Sequence, residues 1–227
     1  MKKCHLISRR DIVRQIGLTA GASFFANQVL ANQVLATGSI ATPKQLEGPF
    51  YPVSKQADTD LDLTLVAGRP RPATGEVILV RGRVLDTNGQ PLTHATVDIW
   101  QANHYGRYDH PNDKNPAPLD PNFQGWGIVK TDAKGVYNFK TISPGAYPLS
   151  VFNEGGMRSK HIHFKVSQDG SKSITTQMYF HGDPLIEQDD LIKQASVELR
   201  HLLVSKSVSD ATTGLPLYTF DIVLANA

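Results

Sequence analysis

His161 and His163 stand two residues apart in the stretch Arg158-Ser159-Lys160-His161-Ile162-His163-Phe164-Lys165-Val166. Ile162, Phe164 and Val166 recur at period two, which predicts a strand with its apolar side chains on one face and both imidazoles on the other. Two imidazoles on one strand face make half of a metal site. Taken alone, such a pair is more often the polar face of a half-buried strand, so the question is which other donors can join it. The only cysteine is Cys4, near the start of the chain. Beyond that residue, thiolate ligands, disulfides and cysteine nucleophiles are excluded together, which leaves oxygen donors or a third histidine. Carboxylates are available, but the notable oxygen candidates are two phenols. Tyr108 lies in the run Trp100-Gln101-Ala102-Asn103-His104-Tyr105-Gly106-Arg107-Tyr108, and Tyr147 follows a tight turn in Pro144-Gly145-Ala146-Tyr147-Pro148. Both fall at strand edges, where functional loops gather.

The elements that must position these residues are short β runs. Val77 to Asp86 leads into the turn Thr87-Asn88-Gly89-Gln90-Pro91, and Ala95-Thr96-Val97-Asp98-Ile99-Trp100 alternates cleanly. A long loop over 101–125 follows, a length without structure of its own that is usually functional. Further strands are expected over 126–132, over 136–142 after the turn Asp132-Ala133-Lys134-Gly135, at the histidine stretch, and over 174–180. Residues 185–203 carry a mixed pattern with room for a short helix. A closing strand is expected over 217–224, with Tyr218, Phe220, Ile222 and Leu224 on one face. Strands at regular spacing with glycine and proline turns predict an all-β fold, an antiparallel β-sandwich with long functional loops, and the turns around Gly89 and Gly135 resemble those of the transthyretin (prealbumin-like Greek key) sandwiches. Within it, residues 76–227 would form the sandwich domain and 37–75 an arm and loop laid on the domain. Tyr51, in Gly48-Pro49-Phe50-Tyr51-Pro52, reads as a packing residue of that arm.

At 227 residues with 40% hydrophobic content, the chain suits one core. Its net charge of +2 is misleading. Residues 1–36 hold five of the 23 basic and one of the 21 acidic groups, so the remainder carries 18 against 20, a net −2. A nucleic-acid partner therefore loses its electrostatic support. Those first residues read as an export leader, with Lys2, Lys3, Arg9, Arg10 and Arg14 before a mildly apolar run. Ser8-Arg9-Arg10-Asp11-Ile12-Val13 resembles a twin-arginine signal, with cleavage expected after Ala31 or Ala36 and a periplasmic or secreted destination. No stretch reaches the roughly 18 to 20 apolar residues of a membrane span.

Five segments, in order, resemble the intradiol ring-cleavage dioxygenases: Gly48-Pro49-Phe50-Tyr51-Pro52, Asp98-Ile99-Trp100-Gln101-Ala102 through Tyr108, Pro144 through Pro148, Arg158 through Phe164, and Gln177-Met178-Tyr179-Phe180. The resemblance runs from about residue 46 to 184 and is closer to the protocatechuate 3,4-dioxygenase catalytic subunit than to the longer catechol-cleaving members. It implies a non-haem Fe(III) held by Tyr108, Tyr147, His161 and His163. Tyr105 falls before the Gly-x-Tyr pattern that marks Tyr108. It also implies a small aromatic diol and O2 as substrates, no organic cofactor, and a homo- or hetero-oligomer. In the family's reaction the catechol binds through both oxygens and displaces the tyrosinate matching Tyr147. Both atoms of O2 enter between the hydroxyl-bearing carbons, and a cis,cis-muconate results. Arg158 has the position of a cation that stabilises charge on the activated ring, with Gln177 adding a polar contact. One departure is Leu149, which stands where the protocatechuate type tends to carry tryptophan.

The turns around Gly89 and Gly135 equally resemble transthyretin-like carriers and adhesins, so an exported binding module without catalysis is the rival reading, and such turns set fold rather than function. A zinc or copper protein built on the histidine pair alone leaves the tyrosines and Arg158 unexplained. Tyr137 and Tyr179 read as core or sheet-face residues. His94, His104, His110, His181 and His201 have no partner at ligand spacing and read as surface or loop residues.

Overall fold

The computed structural model describes residues 38–54, 58, 60–149, 156–168 and 172–225; the leader lies outside the described residues. Two five-stranded sheets make the sandwich. The first is organised on β1 (Val77–Asp86), which pairs antiparallel with β4 (Val136–Ile142) and parallel with β11 (Pro216–Thr219) and β12 (Ile222–Leu224), while β10 (Ser207–Ser209) pairs with β11. The second runs β3 (Trp126–Lys130), β2 (Thr96–Trp100), β7 (His161–Gln168), β8 (Lys172–Phe180) and β9 (Val204–Ser205). A two-stranded ribbon, β5 (Tyr147–Pro148) with β6 (Met157–Arg158), stands apart from both.

The antiparallel expectation holds for most pairings, but both sheets are mixed, because β11 and β12 lie parallel to β1 and β9 lies parallel to β8. The expected closing strand is interrupted. Thr219 opposes Arg81 and Ile222 opposes Val84, so the register is unbroken, yet between them the Arg83 N–H goes to the Asp221 side chain at 2.8 Å instead of a backbone carbonyl. Its apolar alternation survives, with Phe220, Ile222 and Leu224 all buried. The segment 185–203 holds 3-10 turns at Ile186–Gln188, Ile192–Gln194 and Arg200–Leu203 in place of a regular helix.

Period-two alternation sends Val80, Val84, Val97, Ile99, Phe139, Ile162, Phe164 and Val166 into the core between the sheets. The opposite face of the second sheet, which alternation alone would leave to solvent, is covered at one end. The arm lies along β8, with the Gln45 N–H donating to Thr175 O at 2.8 Å and Gln177 Nε2 donating to Leu46 O at 2.8 Å. Among the described residues no helix is long and apolar enough to cross a membrane.

Candidate active site

On β7, His161 and His163 face away from the core, and both are only 2% exposed beneath the covering loops. Pairing registers place further groups beside them: Trp100 and Gln177 flank His163 on neighbouring strands, and Tyr179 opposes His161. The Trp100 ring stacks on the His163 ring at 4.7 Å with 9° between planes, which fixes the imidazole's orientation.

The two phenols arrive from separate loops that lock together through glycines. Gly106, at φ +77°, lies so close to the Ala146 carbonyl that a side chain there would collide with it, and Gly145 packs as closely against the backbone of His104 and Gly106. Asn103 O accepts from both the Gly106 N–H (3.0 Å) and the Gly145 N–H (2.9 Å). The Asp113 carboxylate then accepts the Tyr108 N–H at 2.7 Å. With the two loops joined, the Tyr108 and Tyr147 rings meet edge to face at 5.7 Å. Tyr147 lies 5.6 Å from the His161 ring and Tyr108 lies 6.2 Å from the His163 ring, and the two imidazoles are 4.8 Å apart. All four sequence-predicted donors thus lie together in one cluster.

Their electrostatics suit a bound cation. His161 donates from Nδ1 to Ser159 O at 2.6 Å, which leaves its Nε2 lone pair directed at the Tyr108 hydroxyl, 3.4 Å away. Burial, then the nearby Arg158 charge, holds His161 well below the ordinary histidine value; burial, then His161 and Arg158, does the same for His163. Both are neutral and able to donate to a metal. Nδ1 of His163 is buried without a hydrogen-bond partner. Burial pushes the Tyr108 phenol well above its ordinary value, with Tyr147 adding to the effect, and raises Tyr147 against the pull of Arg158. A bound cation reverses that direction, since it favours the phenolate. Among the described residues no group of three His, Cys, Asp or Glu side chains converges as a metal site, so an ion here depends on the phenol oxygens joining the imidazoles. Two hard anionic oxygens and two neutral nitrogens suit a hard trivalent ion such as Fe(III).

Arg158 sits opposite Tyr147 on the β5–β6 ribbon and is 4% exposed. Its Nη1 donates to the Tyr147 hydroxyl at 3.4 Å, its Nη2 to Gln177 Oε1 at 2.6 Å, and its Nε to both Asp189 oxygens at 3.1 and 3.2 Å. Burial pulls the guanidinium pKa down, but the phenol oxygens of Tyr147 and Tyr179 and the Asp189 carboxylate outweigh it, so Arg158 stays charged. Gln177 is fully buried and spends both ends of its amide on the protein, accepting also from the Tyr179 hydroxyl at 3.0 Å.

A family model described as Dioxygenase matches residues 46–226. The protocatechuate 3,4-dioxygenase beta chain of Burkholderia cepacia is 45% identical over 180 residues, 78% of this chain and 76% of that protein. This chain belongs to the intradiol ring-cleavage dioxygenases. Catechol 1,2-dioxygenase 2 of Acinetobacter lwoffii is 34% identical over 65% of the chain, which spans 54% of that longer relative. Among solved structures, the dioxygenase domain of a carbohydrate-binding fusion protein from Streptomyces sp. SirexAA-E matches with a TM-score of 0.60 at 30% identity, covering 83% of this chain and 100% of that one. The 3-chlorocatechol 1,2-dioxygenase of Rhodococcus opacus 1CP has the same sandwich, with a TM-score of 0.64 over 85% of this chain and 75% of its own, at 23% identity.

Several residues around this cluster escape a reading by motif. Asp189 is fully buried and holds Arg158 from a segment with no strand or motif. Tyr179, read as a core or sheet-face residue, donates to Gln45 Oε1 at 3.0 Å and reaches the guanidinium. Tyr51 donates to the Asp98 carboxylate at 2.6 Å and packs edge-on against Trp100 at 5.0 Å, as expected of a packing residue. His110 lies in its loop but is buried, 5.7 Å from the Phe50 ring. His94, His104, His181 and His201 are exposed.

Proposed function

We propose that this chain binds Fe(III) through Tyr108, Tyr147, His161 and His163 and cleaves a catechol-type ring between its hydroxyl-bearing carbons, inserting both atoms of O2 to give a cis,cis-muconate. The observation that carries the reading is the meeting of two buried phenols and two neutral imidazoles beside a cavity lined by Tyr147, Arg158 and His163. When bound, the ferric ion supplies Lewis acidity that keeps phenol and catechol oxygens ionised and draws electron density from the ring.

The chain's own groups do the rest. Tyr108, held by Asp113 through its backbone and by Phe50 at 4.7 Å between rings, is the fixed oxygen donor. Tyr147 lines the cavity and is the displaceable one. Its oxygen would take the proton of one substrate hydroxyl while solvent takes the other, and Arg158 Nη1, 3.4 Å from that oxygen, would hold the resulting neutral phenol by donating to it. The same guanidinium stabilises negative charge on the substrate ring, and Phe50 and Trp100 exclude water behind the donors. The catechol provides the electrons that reduce O2, so the overall reaction balances without an external reductant.

The test is a visible absorption spectrum with iron content on purified protein, followed by anaerobic addition of catechol. A broad tyrosinate-to-iron band that shifts on catechol binding is the expected result. Protein that stays colourless after iron reconstitution rejects the reading. We further propose that residues 1–36 direct twin-arginine export. Replacing Arg9 and Arg10 by lysine should retain the protein in the cytoplasm, and unchanged periplasmic recovery rejects that route.

A further inference from the structure

The cavity beside the four rings has a volume of about 400 Å³ and a one-sided charge lining. Leu46, Pro49, Leu149 and Leu191 form apolar wall, and among the described residues the charged lining groups are three carboxylates, Glu47, Asp189 and Asp190, against a single cation, Arg158. That cation is already committed: its Nε is held by Asp189, its Nη2 by Gln177, and its remaining nitrogen faces the Tyr147 phenol. Glu47 and Asp190 are each paired with a lysine, Lys165 at 2.8 Å and Lys193 at 2.9 Å, but neither lysine lines the cavity.

A ring entering this cavity carries two oxygens to the donor cluster and presents its far edge to the leucines and carboxylates. A carboxylate on that edge finds no unpaired cation and loses its water, whereas a methyl or hydrogen finds apolar contact. We propose, on the basis of the intradiol reading above, that the substrate is a catechol that is unsubstituted or bears an uncharged apolar group, and that carboxylated catechols are turned away. This separates the chain from the 45%-identical relative named for protocatechuate, a carboxylated catechol. Leu149 and Leu191 are the specificity-determining wall.

The test compares 4-methylcatechol with protocatechuate on the iron-loaded protein, by kcat/KM from oxygen uptake and by anaerobic titration calorimetry. Apolar pockets discriminate by about 10- to 200-fold for a single group, so 4-methylcatechol should lead by at least about tenfold in both. Leu149→Lys, or Leu191→Lys should the first fail to fold, supplies the absent cation and should narrow that ratio by about threefold or more. Equal or tighter binding of protocatechuate by the unaltered protein overturns the inference while leaving the intradiol reading intact, and so does a ratio that neither lysine variant moves. If neither ring is cleaved, the proposed reaction fails, and the calorimetric ranking still decides which ring the cavity accepts.

Discussion

Asp189 is the residue whose loss should be felt furthest from its own position. Its Oδ1 accepts from Arg158 Nε and the Leu191 N–H, and its Oδ2 accepts from Arg158 Nε, the Ser159 N–H and the Ser159 hydroxyl, all within 3.2 Å. Both partners of the ion pair are buried, at 4% and 0% side-chain exposure. Asp189→Leu removes the only carboxylate among the described residues that is bonded to the buried Arg158 guanidinium, and strands three further donors. Breaking one side of a buried pair costs about 3–5 kcal/mol. For a domain of this size each kcal/mol moves Tm by about 2–4 °C, so a fall of about 6–20 °C is expected. The double variant Arg158→Met/Asp189→Leu removes the stranded charge and should recover about 2 kcal/mol or more of the single variant's loss. Thermal unfolding followed by circular dichroism, on metal-stripped samples so that bound iron does not add to stability, reads both. A loss below about 1 kcal/mol for the single variant, or a double variant no more stable than Asp189→Leu, would refute the claim that this carboxylate holds the guanidinium.

Tyr147→Phe removes the proposed proton acceptor, and kcat for catechol cleavage should fall by about 10²- to 10⁴-fold; a turnover rate within a few-fold of the unaltered protein rejects that role. Gly106→Ala forces a side chain into left-handed backbone, at about 1–2 kcal/mol, and drives its methyl into the Ala146 carbonyl, so the visible iron band should be weakened or lost. Gly182→Ala carries the same backbone cost at φ +85° with nothing within 4 Å, and should lose stability without losing iron. Asp62 is partly buried, which alone would raise its carboxyl, but hydrogen bonds from Thr64 and Lys140 hold it below the ordinary aspartate value. A depressed folded value means its contribution is present above the unfolded pKa and is lost as pH falls through the folded one. Asp62→Asn should therefore flatten the acid side of a Tm-versus-pH series below about pH 4, by under about 1 kcal/mol because the pair is half exposed.

How far the sequence discloses this molecule depends on the range of the interaction concerned. β1 and β4 fall where alternation of apolar residues puts them, because each buries one face against a single core and period two is a local property. The histidine pair is legible for the same reason, since Ile162, Phe164 and Val166 fix the face on which His161 and His163 must lie. The interruption at Asp221 is not legible, because it depends on a side chain taking the N–H of Arg83 138 residues away in the chain. Nor does any local pattern give the parallel pairing of β11 and β12 with β1.

The site divides along the same line. Tyr108 and Tyr147 belong to loops, and no periodicity brings a loop ring to a strand imidazole. What brings them is the close approach of Gly106 to Ala146 and the sharing of Asn103 O, contacts that a lone glycine in a turn does not announce. The five motif segments include the two tyrosines. They stop short of Asp189, which lies in a stretch of 3-10 turns even though the family match over 46–226 runs through it. A buried guanidinium nevertheless requires a partner. Arg158, once placed beside His161, calls for a carboxylate somewhere in the chain, and Gln177 and two phenols cannot supply its charge. Asp189 answers that requirement, and in doing so ties the 185–203 segment to the wall of the cavity beside Tyr147 through its neighbours Asp190 and Leu191. The residue that orients the guanidinium and the residues that shape the far edge of the cavity therefore belong to one short segment, so changes in ring preference there should be coupled to changes in how firmly Arg158 is held.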